Sequence, residues 1–255
     1  MAGIINKTLS EIYKDLFYID NDNNGFTTTL KTIKDGAGNT SSLSLSDRAT
    51  QIKANTDNTT ALQVQDADGN ALFTVDTTND LVKAGINQQY ANTQFAHFAG
   101  TAMNVDGSTH LCVPRIIAGA TGMTLGTGTD PDTSLTISTT ADDVISCMWY
   151  VSTAVTIDSV EVWCAGDASG NDTLRFHLMS YTIDNSNGST GGDLTSGTVV
   201  ASGADISSLG YEQAYFQSMT INSANIAAGK AVFFTIKGDS SNANYNVNVQ
   251  IKYHL

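Results

Sequence analysis

The chain has 255 residues, of which 15% are charged, and a formal net charge of −13 at pH 7. That acidity argues against a nucleic-acid ligand, because phosphate contacts need clustered Lys and Arg and no basic block occurs. No apolar run approaches the roughly 18 residues of a membrane span, and Lys7, Glu11, Lys14 and Asp15 interrupt the N-terminal apolar residues, so the chain reads as made in a cytosol without a leader.

Residues 8–19 carry the one helix signal. Thr8-Leu9-Ser10-Glu11 matches a capping box. Leu9, Ile12, Tyr13, Leu16, Phe17 and Ile19 follow on one stripe at helical spacing. A helix this short is marginal alone, so the stripe is expected to pack in a small bundle or on a larger assembly. Asp20, Asp22, Asn24 and Gly25 have the spacing of an EF-hand calcium loop, but the position for its closing Glu is Lys31, so no calcium site is expected.

From residue 27 to 86 short apolar pairs alternate with polar turns such as Asp35-Gly36-Ala37-Gly38-Asn39 and Asp68-Gly69. The clearest case brings Leu62 and Val64 against Phe73 and Val75. Each strand offers about two inward side chains worth roughly 1.5–3 kcal/mol apiece. Ordering the backbone costs about 1–2 kcal/mol per residue. Strands this thin are expected to close a core with copies of themselves, as a slender stem.

Residues 87–140 read as a neck or connector. Residues 88–98 suggest a short helix or transition loop anchored by Tyr90, Phe95 and Phe98, and Leu135 and Ile137 a short inward-facing strand. From residue 141 the strands lengthen. Residues 144–151 read as a strand, and Tyr245, Val247, Val249, Ile251, Tyr253 and Leu255 alternate without interruption. About eight strands suit a two-sheet antiparallel sandwich of jelly-roll type. The expected organisation is mainly β: a helical anchor (1–26), a β-rich trimeric stem (27–86), a connector (87–140) and a C-terminal β-sandwich (141–255).

Catalytic signals are weak. His97, His110, His177 and His254 lie far apart in sequence and form no metal pair, and His177 alternates with Phe176 and Leu178, which turns it to solvent or to the sheet's other side. The aspartates cluster in turns, where they cap backbone N–H groups. Cys112, Cys147 and Cys164 have no metal spacing and are expected as buried thiols. No cofactor, metal or catalytic residue is expected. The candidate ligand surface consists of Trp149, Trp163 and the polar loop around Asn185 and Asn187.

The run Leu62-Gln63-Val64-Gln65-Asp66-Ala67-Asp68-Gly69-Asn70, followed by Phe73-Thr74-Val75-Asp76-Thr77, resembles the stems of bacteriophage tail fibres and capsid fibres. Val160-Glu161-Val162-Trp163 with Asp172-Thr173-Leu174-Arg175-Phe176 looks like the C-terminal head domains of phage virion proteins. The resemblance implies a non-enzymatic homotrimer of the virion: a fibre, spike or capsid decoration. Leu9, Ile12, Leu16 and Ile19 would anchor it to itself or to other virion proteins. Leu62, Val64, Phe73 and Val75 would line the stem, and the distal domain would meet a host surface, a cell-surface glycan among the partners. Two other readings make distinct demands. A carbohydrate-binding module requires an exposed Trp149 or Trp163, and a glycan-cleaving spike requires two facing carboxylates in a groove.

Overall fold

A computed structural model describes residues 13, 16–22, 24–85, 87, 89–115, 123–137, 141–166, 172–210, 212–239 and 243–255. The chain is mainly β, in several antiparallel sheets, and divides into two compact units, Met1–Ala91 and Asn92–Leu255.

The first unit holds two four-stranded meanders. One is β1 (Phe17–Ile19), β2 (Lys31–Asp35), β3 (Thr40–Leu45) and β4 (Thr50–Ile52). The other is β5 (Leu62–Gln65), β6 (Ala71–Asp76), β7 (Leu81–Ala84) and β8 (Gln89–Tyr90). Their first long hairpins are built alike. Asp35 Oδ1 accepts from the N–H groups of Ala37 and Asn39, and its Oδ2 from Asn39 Nδ2. Asp66 does the same with Asp68 and Asn70. Gly38 and Gly69 sit at φ 86° and 85°, a region that only glycine enters without strain. The next turns also match, since Ser46 Oγ accepts from Arg48 and Ala49 while Asp76 Oδ1 accepts from Thr78 and Asn79. Beneath each pair lies a buried hydroxyl: Ser44 bonded to Thr32, and Thr74 bonded to Gln63.

The N-terminal helix is corrected at its C-terminal end. Phe17–Ile19 is a strand, with Phe17, Tyr18 and Ile19 opposite Asp35, Lys34 and Ile33. Aromatic and β-branched side chains suit a pleated edge, and β2 supplies the backbone partners that a lone helix would lack. Leu16 precedes the strand and is exposed. Leu9 and Ile12 lie outside the described residues.

The second unit contains β9 (Thr93–Val105), β10 (Leu111–Val113), α1 (Ala141–Cys147), β11 (Trp149–Val151), β12 (Val155–Gly166), β13 (Asp172–Ile183), β14 (Leu194–Ser202), β15 (Ile206–Leu209), β16 (Ala214–Ser218), β17 (Thr220–Ile221), β18 (Asn225–Ile226), β19 (Lys230–Lys237) and β20 (Ala243–His254). One sheet has the order β16-β12-β20-β9, with β18 beside β12. The other runs β10-β19-β13-β14-β17, with β11 on β19 and β15 on β13. Their facing sides share one apolar core. Phe234 lies at its middle, with ring centroids 6.2 Å from Phe98 and 5.8 Å from Phe176.

A second core lies on the far side of the β19–β13 sheet. Met179, Tyr181, Ala231 and Phe233 are covered there by Met123, Leu125, Val144 and Cys147. Residues 123–137 and 141–147 thus supply a third layer over that sheet. The stretch expected as a neck supplies β9, β10 and this cover instead. Residues 93–98, expected as helix or loop, are the start of β9, in which Ala96 and Phe98 are buried and Phe95 is exposed. The strand expected at 144–151 is split. Asp142 and Asp143 favour a helix N-terminus, and Val144 and Cys147 meet the second core at helical spacing. Only Trp149–Val151 is strand. Leu135 and Ile137 do turn inward, although Leu135 makes a single bridge, to Leu194.

Candidate functional site

The outer face of the β16-β12-β20-β9 sheet has no cover among the described residues, and its strands alternate buried with exposed positions accordingly. On β20, Tyr245, Val247, Val249 and Ile251 go into the core, which leaves Asn246, Asn248 and Gln250 outside. On β12, Val160, Val162 and Cys164 go in, which leaves Trp163 outside and 54% exposed. Strand register sets these outward residues in rows. Ala99, Asn248, Trp163 and Phe216 lie side by side on the four strands, and Asn246, Ala165 and Ala214 form the next row.

Trp163 and Phe216 pack against each other with ring centroids 5.1 Å apart. Small residues flank the indole on the other side, and the space they leave is a hollow of ≈ 370 Å³ bounded by Ala99, Gly100, Thr101, Trp163, Ala165, Asn246 and Asn248. A β-bulge shapes its rim, since the β20–β9 register shifts between Tyr245 and Val247. Ala102 adopts φ 50° there, and its N–H donates to Asn246 Oδ1 at 2.9 Å. The Asn248 and Gln250 amides make no hydrogen bond to a described residue.

The sequence-derived ligand residues are therefore dispersed. Trp149 is buried in the inter-sheet core, its ring 4.9 Å from that of Tyr253. Trp163 stands on an outer sheet face. Asn185 and Asn187 are exposed on the β13–β14 connection, which closes on itself through Asp184 N to Asp193 O and Gly192 N to Asp184 O. The sequence reading missed Phe216 and the Asn246/Asn248/Gln250 ladder. The signal was present in the alternation of β20, whose outward polar positions begin with four amides in succession, Asn244, Asn246, Asn248 and Gln250.

A buried polar cluster lies between the β19–β13 sheet and the 123–137 segment. His177 is on the sheet's other side, as alternation allowed, but it is 2% exposed rather than solvated. His177 Nε2 donates to Asp130 Oδ1 at 3.2 Å. His110 Nε2 donates to the Gly128 carbonyl at 3.0 Å. The two rings meet edge to face with centroids 5.1 Å apart. Both Nδ1 atoms and the hydroxyl of Thr235 lack hydrogen-bond partners among the described residues. Burial holds both imidazoles toward the neutral form; His110 is lowered to about 4, and His177 is lowered in spite of Asp130.

Nearby cations are already committed. Arg175 makes a two-bond pair with Asp205 at 2.6 and 2.7 Å, and Lys237 Nζ donates to the Thr127 and Gly128 carbonyls. No group of three His, Cys, Asp or Glu side chains among the described residues is placed to hold a metal ion. At the EF-hand-like loop, Asp20 is paired with Lys34 at 2.8 Å. The three cysteines are buried and no disulfide joins them.

The geometry defines a β-sheet protein whose second unit presents a sheet face carrying an aromatic pair, uncovered among the described residues, and whose first unit is built of meanders. No protein-family model matches the chain, and no curated protein matches it.

Proposed function

We propose that the chain is a structural, non-enzymatic component of a bacteriophage particle: a homotrimeric fibre, spike or capsid decoration. Its N-terminus would attach to the virion, and its C-terminal domain, a sandwich of jelly-roll type, would project outward. One observation carries the reading. Among the described residues of the first unit no large apolar side chain is buried; the buried side chains there are the polar Ser44, Thr74 and Asp76.

The apolar residues instead form an uncovered stripe. Leu62 lies opposite Val75, Val64 opposite Phe73, and Val75 opposite Val82, all on one side of the β5–β8 sheet. Val64 is 52% exposed. A sheet with one wet apolar side needs a covering layer. Two further copies of the same stripe supply one in a closed ring, without leaving a sticky face. The resemblance of this stretch to phage fibre stems agrees with that solution. A stand-alone carbohydrate module fits less well, because it leaves the meander unit without a role.

The test is the mass of the full chain in solution by light scattering. The reading expects three times the 26.9 kDa chain mass, falling to a single chain for Phe73→Asp with the second unit still folded. A stable single subunit for the unmodified protein refutes it.

A further inference from the structure

We infer that the outer face of the β16-β12-β20-β9 sheet is a binding site for a neutral glycan, with Trp163 as the stacking platform and Asn246, Asn248 and Gln250 as the hydroxyl readers. The inference rests on the virion reading for the source of the ligand, a host cell surface.

A sugar ring presents two chemistries: an apolar C–H face and an equatorial rim of hydroxyls. The indole of Trp163 meets the first. It is half exposed, braced on one side by Phe216, and bordered on the other by alanines that admit a ring beside it. The amide ladder meets the second, since each amide both donates and accepts, as a hydroxyl does. Asn248 is the direct cross-strand neighbour of Trp163. Asn246 and Gln250 lie two residues to either side of it on the same face, and the Asn246 oxygen is fixed by the Ala102 N–H.

Charge selects among the possible occupants. The chain carries −13 overall, and no side chain in the Ala99-Asn248-Trp163-Phe216 row or the Asn246-Ala165-Ala214 row is ionisable, whereas the Gln250 row sets Glu161 on one side and His97 on the other. An acidic glycan gains no cation in the two rows around Trp163, and beside Gln250 it meets the Glu161 carboxylate, within an unfavourable overall field. A second copy of the chain would cover Trp163 favourably but would strip water from three amides with nothing shown to replace it. A neutral, hydroxyl-rich ligand satisfies both halves of the face. In a trimer three such sites act together, so weak single-site affinity becomes useful avidity.

The experiment uses the full chain and an array of neutral oligosaccharides of glucose, galactose, mannose and N-acetylglucosamine, with sialylated and sulfated glycans as the acidic arm. Hits are titrated by tryptophan fluorescence, since Trp163 is the solvent-facing indole of the two. The expected result is saturable binding of neutral glycans, weakened about tenfold or more by Trp163→Ala and severalfold by Asn248→Ala. The mass in solution is expected to stay unchanged in both variants. Absence of any neutral hit, preference for the acidic arm, or full binding by Trp163→Ala overturns the inference. So does a drop in assembly mass on Trp163→Ala, which would make the face a subunit contact. Trp163-dependent binding by a protein that weighs as a single chain would support the site and refute the trimeric stem.

Discussion

Acid should loosen the second unit through His110, and the size of the effect follows from its surroundings. The ring is fully buried. Its Nε2 faces a carbonyl, which can only accept, so Nε2 carries the proton and Nδ1 is bare, without a hydrogen-bond partner among the described residues. Protonation would place a charge at Nδ1 in a site faced by the His177 ring and by Lys237, with Asp130 the opposing carboxylate. Burial first, and those neighbours next, bring the pKa from 6.5 to about 4. The unfolded chain therefore binds the proton before the folded one does. Stability is unaffected above about pH 6.5, falls as pH drops toward about 4, and loses no more through this group below that. The gap amounts to about 3 kcal/mol. His177, lowered by burial against Asp130, acts in the same direction. Turn carboxylates such as Asp66 and Asp106 are lowered from 3.8, so their contribution is lost only in stronger acid.

The assay is urea unfolding at fixed protein concentration from about pH 7.5 to 4.5, comparing the native chain with His110→Gln. The amide of the variant keeps a donor for Gly128 and cannot titrate. Its acid-induced loss is expected to be smaller by about 2–3 kcal/mol at unchanged m. Identical pH slopes for the two proteins refute the reasoning.

Three further outcomes are expected. Phe176→Ala removes a fully buried ring packed on Phe234 and should cost about 3–5 kcal/mol in urea unfolding. Gly69→Ala forces a Cβ into φ 85° and should cost about 1 kcal/mol, with faster amide exchange at Asp68 and Asn70; equal stability would show that the turn can relax. Burial pushes the Cys164 thiol up to about 11 and raises Cys112 as well, so at pH 8 a thiol reagent should label none of the cysteines before denaturant is added, and rapid native labelling would contradict their placement.

Where one face of a strand is wet, its pattern could be read directly. β20 alternates apolar with polar residues, and its inward residues from Tyr245 to Ile251 were legible one by one, whereas Leu255, expected in the same alternation, lies past the strand's end and is exposed while His254 is buried. So were the pairs Leu62–Val75 and Val64–Phe73, because a two-residue period and a glycine turn fix the register between them. β19 shows the opposite case. Ala231 to Ile236 are buried on both faces, so the sequence has no alternation to announce which side meets which layer. The third layer stayed hidden for the same reason, since its covering residues come from turn-rich chain without periodicity. The helix at 141–147 was obscured by Val144 and Ile145, whose strand preference lost to a docking surface far away in sequence. The proposed binding face was half legible. An exposed tryptophan cannot be told from a buried one by type alone, and Trp149 and Trp163 differ only in the direction that the sheet gives them.

The paired aspartate–glycine hairpins of the first unit bear on how its number of meanders could change. Each module completes its turn from residues inside its own short window, so no bond network has to be rewired when a copy is gained or lost. The number of meanders then becomes a counted quantity, adjustable in whole steps by duplication or deletion, with the hydrogen bonds inside the remaining copies left as they are.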